Sequence, residues 1–144
     1  MASFAKRALT SFRHCRHGQK MPLILDGAMG TELAAAAENG GLCPKDVPFA
    51  CATPAGLEAI RTVSRRYVEA GANIICTATY NVNDVRFARD TDENKSKIPK
   101  LPNILREAVV CARDVASEFS SKQNAAEQVL VAAVMGGYGV AAEP

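Results

Sequence analysis

The chain has 144 residues, 48% of them hydrophobic and 22% charged, with a formal net charge of +2. That is about one domain of ordinary globular composition, and no apolar run reaches the ~18 residues that a membrane span requires. Residues 1–20 hold Lys6, Arg7, Arg13, Arg16 and Lys20 and no acid, and beyond them 15 acidic residues face 12 basic ones, so the basic excess does not describe a nucleic-acid surface.

Taken in chain order, the basic leader comes first. Phe4, Ala5, Ala8, Leu9 and Phe12 would share one helical face, as an organelle-targeting segment would have it. A disordered basic tail is the other reading. The leader sets the expected location as cytoplasm or mitochondrion. Pro22–Asp26 reads as a first strand. Gly27 and Gly30 provide a loop, and Thr31–Glu38 reads as a helix stopped by Asn39-Gly40-Gly41. Leu42–Ala52 has no clean period and reads as a loop.

Thr53-Pro54 then opens a strong helix, the threonine as its cap and the proline at its first position. Its apolar stripe is Leu57, Ile60, Val63 or Ser64, Tyr67 and Val68, and Gly71 is its C-terminal stop. Asn73–Thr77 is the second strand and runs into Ala78-Thr79-Tyr80-Asn81. Residues 82–102 are charged and broken by Pro99 and Pro102, with Asp90–Lys95 as an exposed loop. Asn103 is the expected cap of a third helix that runs to about Phe119. Its apolar face is Leu105, Ala108, Val109, Ala112, Val115, Ala116 and Phe119. Ser120–Gln128 is a polar connection. Val129–Met135 is the third strand, followed by the turn Gly136-Gly137-Tyr138-Gly139. Unbroken apolar strands separated by amphipathic helices imply an α/β fold with a parallel sheet covered by helices.

Five cysteines are present, Cys15, Cys43, Cys51, Cys76 and Cys111. The count is odd and no pair makes CxxC, so neither a disulfide framework nor a zinc knuckle is indicated. Reduced thiols in an intracellular compartment fit this usage. Cys76 and Cys111 fall on apolar faces and read as core thiols, while Cys43 and Cys51 fall in the loop. His14 and His17 flank Cys15 in the leader, an isolated trio that could bind metal only adventitiously. The glycines after the first strand lack the G-x-G-x-x-G spacing and a following Lys-Ser/Thr, so they do not mark a phosphate loop.

Three strand ends carry polar or glycine-rich sequence: Asp26-Gly27, Thr77-Ala78-Thr79-Tyr80 and Gly136–Gly139. With Leu25-Asp26-Gly27-Ala28-Met29-Gly30-Thr31-Glu32-Leu33, the run Tyr67–Ile75 and Val131–Gly139, the chain resembles the homocysteine S-methyltransferase family over roughly residues 22 to 142. The resemblance implies a (β/α)8 TIM barrel, of which residues 21–144 would be the first three strand-helix units, incomplete in this chain because such a barrel takes about 250 residues. It implies methyl transfer to the homocysteine thiol to give methionine, from a donor the sequence does not name. It implies a zinc ion held by three cysteine thiolates on later strands, with no ligand among the cysteines of this chain, and so no independent turnover.

By motif position, Asp26 would bind the substrate amino group and Gly27 would let the ligand approach the backbone. Thr77, Thr79 and Tyr80 would line the same mouth. Read from the residues alone, Asp26 could equally be a turn-forming aspartate and Tyr80 a packing residue with a wet hydroxyl. Of Thr77 and Thr79, one is expected to face the site and the other to satisfy backbone. Unpaired sheet edges would invite self-association. Two further readings follow: a non-catalytic paralogue that binds a partner or an amino acid, and a small complete protein that binds an amino acid without metal.

Overall fold

A computed structural model describes residues 22–40, 44–89, 92–120 and 128–136. The basic leader with His14, Cys15 and His17, Cys43, and the turn residues Gly137, Tyr138 and Gly139 lie outside the described residues. The elements are α1 (Met29–Glu38), a 3-10 segment (Pro44–Ala52), α2 (Pro54–Glu69), β1 (Ile74–Cys76), the short helices α3 (Asp84–Ala88) and α4 (Asp92–Lys95), a 3-10 turn (Ile98–Lys100), α5 (Leu101–Ser120) and β2 (Leu130–Ala132).

The α2 helix follows from its sequence. Thr53 is extended, and its Oγ1 accepts from Gly56 N at 3.1 Å, while Pro54 opens the first turn. At the other end Gly71 adopts φ +106°. Gly71 N donates to Val68 O and Ala72 N to Tyr67 O, both at 2.9 Å, which is a Schellman closure. The stripe Ile60, Val63, Ser64 and Val68 is buried, with Leu57 and Tyr67 half-buried beside it. Helix α5 runs against α2, burying Ile104, Ala108, Cys111, Ala112, Val115 and Ala116. Arg65 donates twice to Glu118 across this pair, at 2.9 Å each.

The sheet is smaller than the sequence suggests. β1 and β2 pair in parallel, Ile74 with Leu130 and Cys76 with Ala132. The expected first strand contributes a single parallel bridge, Leu25 with Ile74. It is held there by Asn73 N to Ile24 O at 2.8 Å and Asp26 N to Ile74 O at 2.9 Å. The described architecture is thus a helix-rich α/β arrangement around a short parallel sheet.

Four other expectations are corrected. The 42–52 stretch is not a plain loop. Pro44–Ala52 winds into 3-10 turns kinked at Phe49 and buries Phe49, Ala50 and Cys51, so Cys51 is a core thiol. The charged 82–102 stretch is likewise helical in pieces. Phe87 is wholly buried edge-on against Phe49, with centroids 4.6 Å apart, and Asn94, which the loop reading left in solvent, is buried. In both stretches a few anchors carry the burial without making a period. Asn103 lies inside α5, which begins at Leu101, and its Oδ1 accepts from Arg106 Nη1 at 2.7 Å. Leu105 is exposed, and Ile104 takes the core position instead.

Two predictions follow from this packing. Gly56 lies hard against the Ala50 backbone, where a Cβ would have no room. Gly56→Ala is expected to cost about 1–3 kcal/mol, the range for overpacking a well-filled core, and urea unfolding would reveal a change that small if it spared the fold. Burial pushes the Cys51 thiol up to about 12 from 9.0. Below pH 9 the thiol is protonated in both states and its contribution is whole. Between pH 9 and 12 the unfolded chain releases a proton that the folded chain keeps, so stability falls as pH rises. Unfolding midpoints taken from pH 8 to 11 should fall less steeply in Cys51→Ala than in the parent chain.

Candidate functional site

The carboxyl ends of the parallel segments converge on one open cleft of about 320 Å³. Ligands of open parallel sheets bind at this end. Its wall takes Asp26 and Gly27 from the first segment, Met29, Gly30 and Leu33 from α1, and Val47, Pro48 and Ala50 from the 3-10 segment. Cys76, Thr77, Ala78, Tyr80 and Asn81 follow β1, and Val134 follows β2.

Asp26 is only 9% exposed. Its Oδ2 accepts from Cys76 N at 2.7 Å. Since Asp26 N also bonds β1, this residue is tied to the sheet by backbone and side chain together. The carboxylate is the one charged side chain in the described lining of the cleft. In a site walled largely by apolar side chains, its field is less screened than at an open surface.

Cys76 departs from expectation. It is half-buried and lines the cleft beside Asp26. Burial pushes its thiol up to about 12, and a hydrogen bond to the Asp26 carboxylate and that group's charge push in the same direction. The thiol is a neutral proton donor to the carboxylate and a poor nucleophile at neutral pH.

Thr77 and Thr79 are both buried, and their hydroxyls bond one another at 2.8 Å. Thr79 Oγ1 donates to Val134 O at 2.6 Å, and Val134 N donates to Thr77 Oγ1 at 3.0 Å. The pair therefore fastens the strand-end of β1 to that of β2. Only Thr77 also reaches the cleft. Tyr80 is exposed at the rim, and its backbone carbonyl packs on Gly136. The structure thus brings Asp26, Gly27, Thr77 and Tyr80 to one cleft and sets Thr79 behind it. The Asn73 clamp was missed, because its partner Ile24 is 49 residues away. Cys76 was missed because an apolar strand context reads as core.

The described residues contain no group of three or more His, Cys, Asp or Glu side chains placed to hold a metal ion. They do not fit a zinc site. No helix among them is long and apolar enough to cross a membrane.

Known proteins resemble this chain in sequence and fold. The family model described as Homocysteine S-methyltransferase matches residues 23–144. The chain belongs to the homocysteine S-methyltransferase family. Within it, the homocysteine S-methyltransferase of Escherichia coli (strain K12) is 34% identical over 118 residues, which is 81% of this chain and 36% of that protein. The crystal structure of the homocysteine methyltransferase MmuM from Escherichia coli, in metallated form, superposes with a TM-score of 0.64 at 31% identity. The match covers 94% of this chain and 42% of that one. The chain therefore spans little more than a third of the curated family member it matches.

The Asp26–Cys76 pair can be probed directly. Iodoacetamide labelling of Cys76 should be slow at pH 7.5 and rise about tenfold per pH unit as the thiolate fraction grows. Asp26→Asn removes the charge that opposes ionisation and should speed labelling several-fold at fixed pH. The tryptic peptide 67–86 contains no other cysteine, so mass spectrometry can read this site alone.

Proposed function

We propose that this chain takes part in methyl transfer to the sulfur of homocysteine to give methionine, and that its cleft binds the amino-acid end of that substrate. The observation that carries the reading is the buried Asp26 carboxylate, fastened to Cys76 N at 2.7 Å at the carboxyl end of a parallel sheet, in a chain of this family. A carboxylate held in place accepts hydrogen bonds from a substrate ammonium without first having to be ordered. Tyr80 offers a hydroxyl at the same mouth, which Thr77 helps to line, and the apolar wall around Met29, Leu33 and Val47 suits the methylenes of the side chain.

On this reading residues 21–144 form the first three strand-helix units of a (β/α)8 TIM barrel, and residues 1–20 are a separate leader that directs the chain to mitochondria or leaves it in the cytoplasm. A zinc ion, where the family employs one, would supply activation of the substrate thiol as thiolate, and on this reading its ligands would lie in the part of the relatives that this chain does not span. What the described residues do is bind and orient. The methyl donor stays unnamed.

A second reading, a non-catalytic module that associates with another copy of itself, draws on the sheet edge. Leu23, Ile24 and Leu25 are 40%, 50% and 56% exposed. Residues 24 and 26 bond β1, so in a parallel ladder the backbone groups of 23 and 25 point to the opposite edge.

Titration calorimetry with L-homocysteine separates the two. Binding is expected, and Asp26→Asn should weaken it about 10- to 100-fold, since a hydrogen bond to a charged group is worth about 1.5–3 kcal/mol. The desamino analogue 4-mercaptobutanoate should bind the parent weakly, and Asp26→Asn should not weaken it further. A chain that ignores homocysteine and sediments as a dimer would establish the second reading in its place.

A further inference from the structure

Gly27 has no side chain, and the structure shows what stands in that space. A Cβ on Gly27 would lie 2.8 Å from both Oη and Cε1 of Tyr67 and 3.0 Å from its Cζ. Real Cβ atoms do not approach that closely, so a side chain at residue 27 would have to displace the end of the Tyr67 ring. Gly30, the other glycine of the turn, has nothing within 4 Å of such an atom. The demand for glycine is thus specific to position 27.

The backbone of Tyr67 is fixed. It sits in the last turn of α2, half-buried, with its carbonyl closed by Ala72 N at 2.9 Å. The chain then reverses at Gly71 and reaches Asn73, which grips Ile24 through Ile24 N to Oδ1 at 3.2 Å and Asn73 N to Ile24 O at 2.8 Å. One helix end therefore holds the first segment at two points: Asn73 before the carboxylate and the Tyr67 ring just after it. Tyr67 does not line the cleft, whereas Asp26 and Gly27 do. Its phenol is raised from its usual range by burial first, then by the charges of Glu32 and Asp26, which agrees with a ring close behind the carboxylate.

We infer that Tyr67 is a positioning residue, whose ring occupies the place of a Cβ at residue 27 and sets the turn that presents the Asp26 carboxylate to the cleft. The inference rests on the assignment of Asp26 as the amino-group ligand. It assigns the missing side chain of Gly27 to Tyr67 and not to an approaching ligand.

The test compares Gly27→Ala, Tyr67→Leu and the double variant in the full chain. Three readouts are followed: Cys76 labelling on peptide 67–86, L-homocysteine affinity, and Tm. Labelling of Cys111, which is buried in the core and does not line the cleft, serves as the control for general loosening. Gly27→Ala should label Cys76 several-fold faster and bind homocysteine several-fold more weakly, with Cys111 unchanged. Tyr67→Leu should shift both in the same direction by less, because the turn loses its backing. The double variant should return both towards the parent, because leucine leaves room for the added methyl group.

A double variant as impaired as Gly27→Ala overturns the inference, since the glycine would then be needed by something other than Tyr67. So does a Gly27→Ala chain that matches the parent. If Gly27→Ala does not fold, recovery of Tm and slow Cys76 labelling in the double variant supports the inference, and failure to recover overturns it. Should the parent ignore homocysteine while Cys76 labelling follows the expected pattern, positioning by Tyr67 stands and the substrate assignment falls.

Discussion

The structure depends on a clamp of two side chains that hold the first segment against β1. One backbone bridge is a weak tether for a parallel pair, whose ladder is intrinsically less stable per residue than an antiparallel one. Asn73 and Asp26 reinforce it from opposite strands. Asn73 Oδ1 takes Ile24 N, and Asp26 Oδ2 takes Cys76 N. Each side chain extends the ladder where regular pairing gives out, and together they fix the register. A slip of one residue would reverse which side chains face the cleft, so the clamp decides that Asp26 is presented at all.

The remaining contacts carry that placement across the sheet. Thr77 and Thr79 bond each other and both backbone groups of Val134. This network continues the tie between β1 and β2 beyond Cys76 and Ala132, the last regular pair. Parallel strands need long crossovers between them, so nothing local holds their ends together. Here the crossover from β1 to β2 contains α5, which packs back along α2 through Ile104, Ala108 and Cys111. The helices thus fix the sheet from one side, and the hydroxyl network fixes its carboxyl edge, where the cleft lies. Buried hydroxyls with full partners add rigidity as well as stability.

What the sequence made legible follows the range of the interaction. Helices α2 and α5 could be read because period and caps are local: Thr53-Pro54 and Gly71 act within four residues. Asp26 was legible because it follows an apolar run and precedes a glycine turn in a specific motif. Cys51, Phe87 and Asn94 were misread because single anchors in an irregular or charged stretch leave no period, and their burial is imposed by partners far along the chain. Tyr67 was legible as part of a helical stripe, but not as the neighbour of Gly27, since 40 residues separate them. The short strands were overestimated because apolar β-branched runs signal burial as much as pairing.

The cleft combines one fixed carboxylate with a neutral thiol, the exposed Tyr80 at its rim and an apolar wall. That composition suits a small ammonium group with an aliphatic chain behind it. The described lining holds no cation to partner a carboxylate, so a ligand that carries one as well, as an amino acid does, would direct it away from Asp26. The same environment explains why Cys76 can sit beside the site without competing for chemistry. Its proton is held by burial and by Asp26, so the cleft keeps its own sulfur inert. A site meant to receive a substrate thiol gains from that arrangement, because a reactive cysteine at the same mouth would exchange with disulfide forms of the substrate. On the proposed function the carboxylate would serve two ends at once: an acceptor for the ligand's ammonium group, and a charge that keeps the neighbouring thiol protonated.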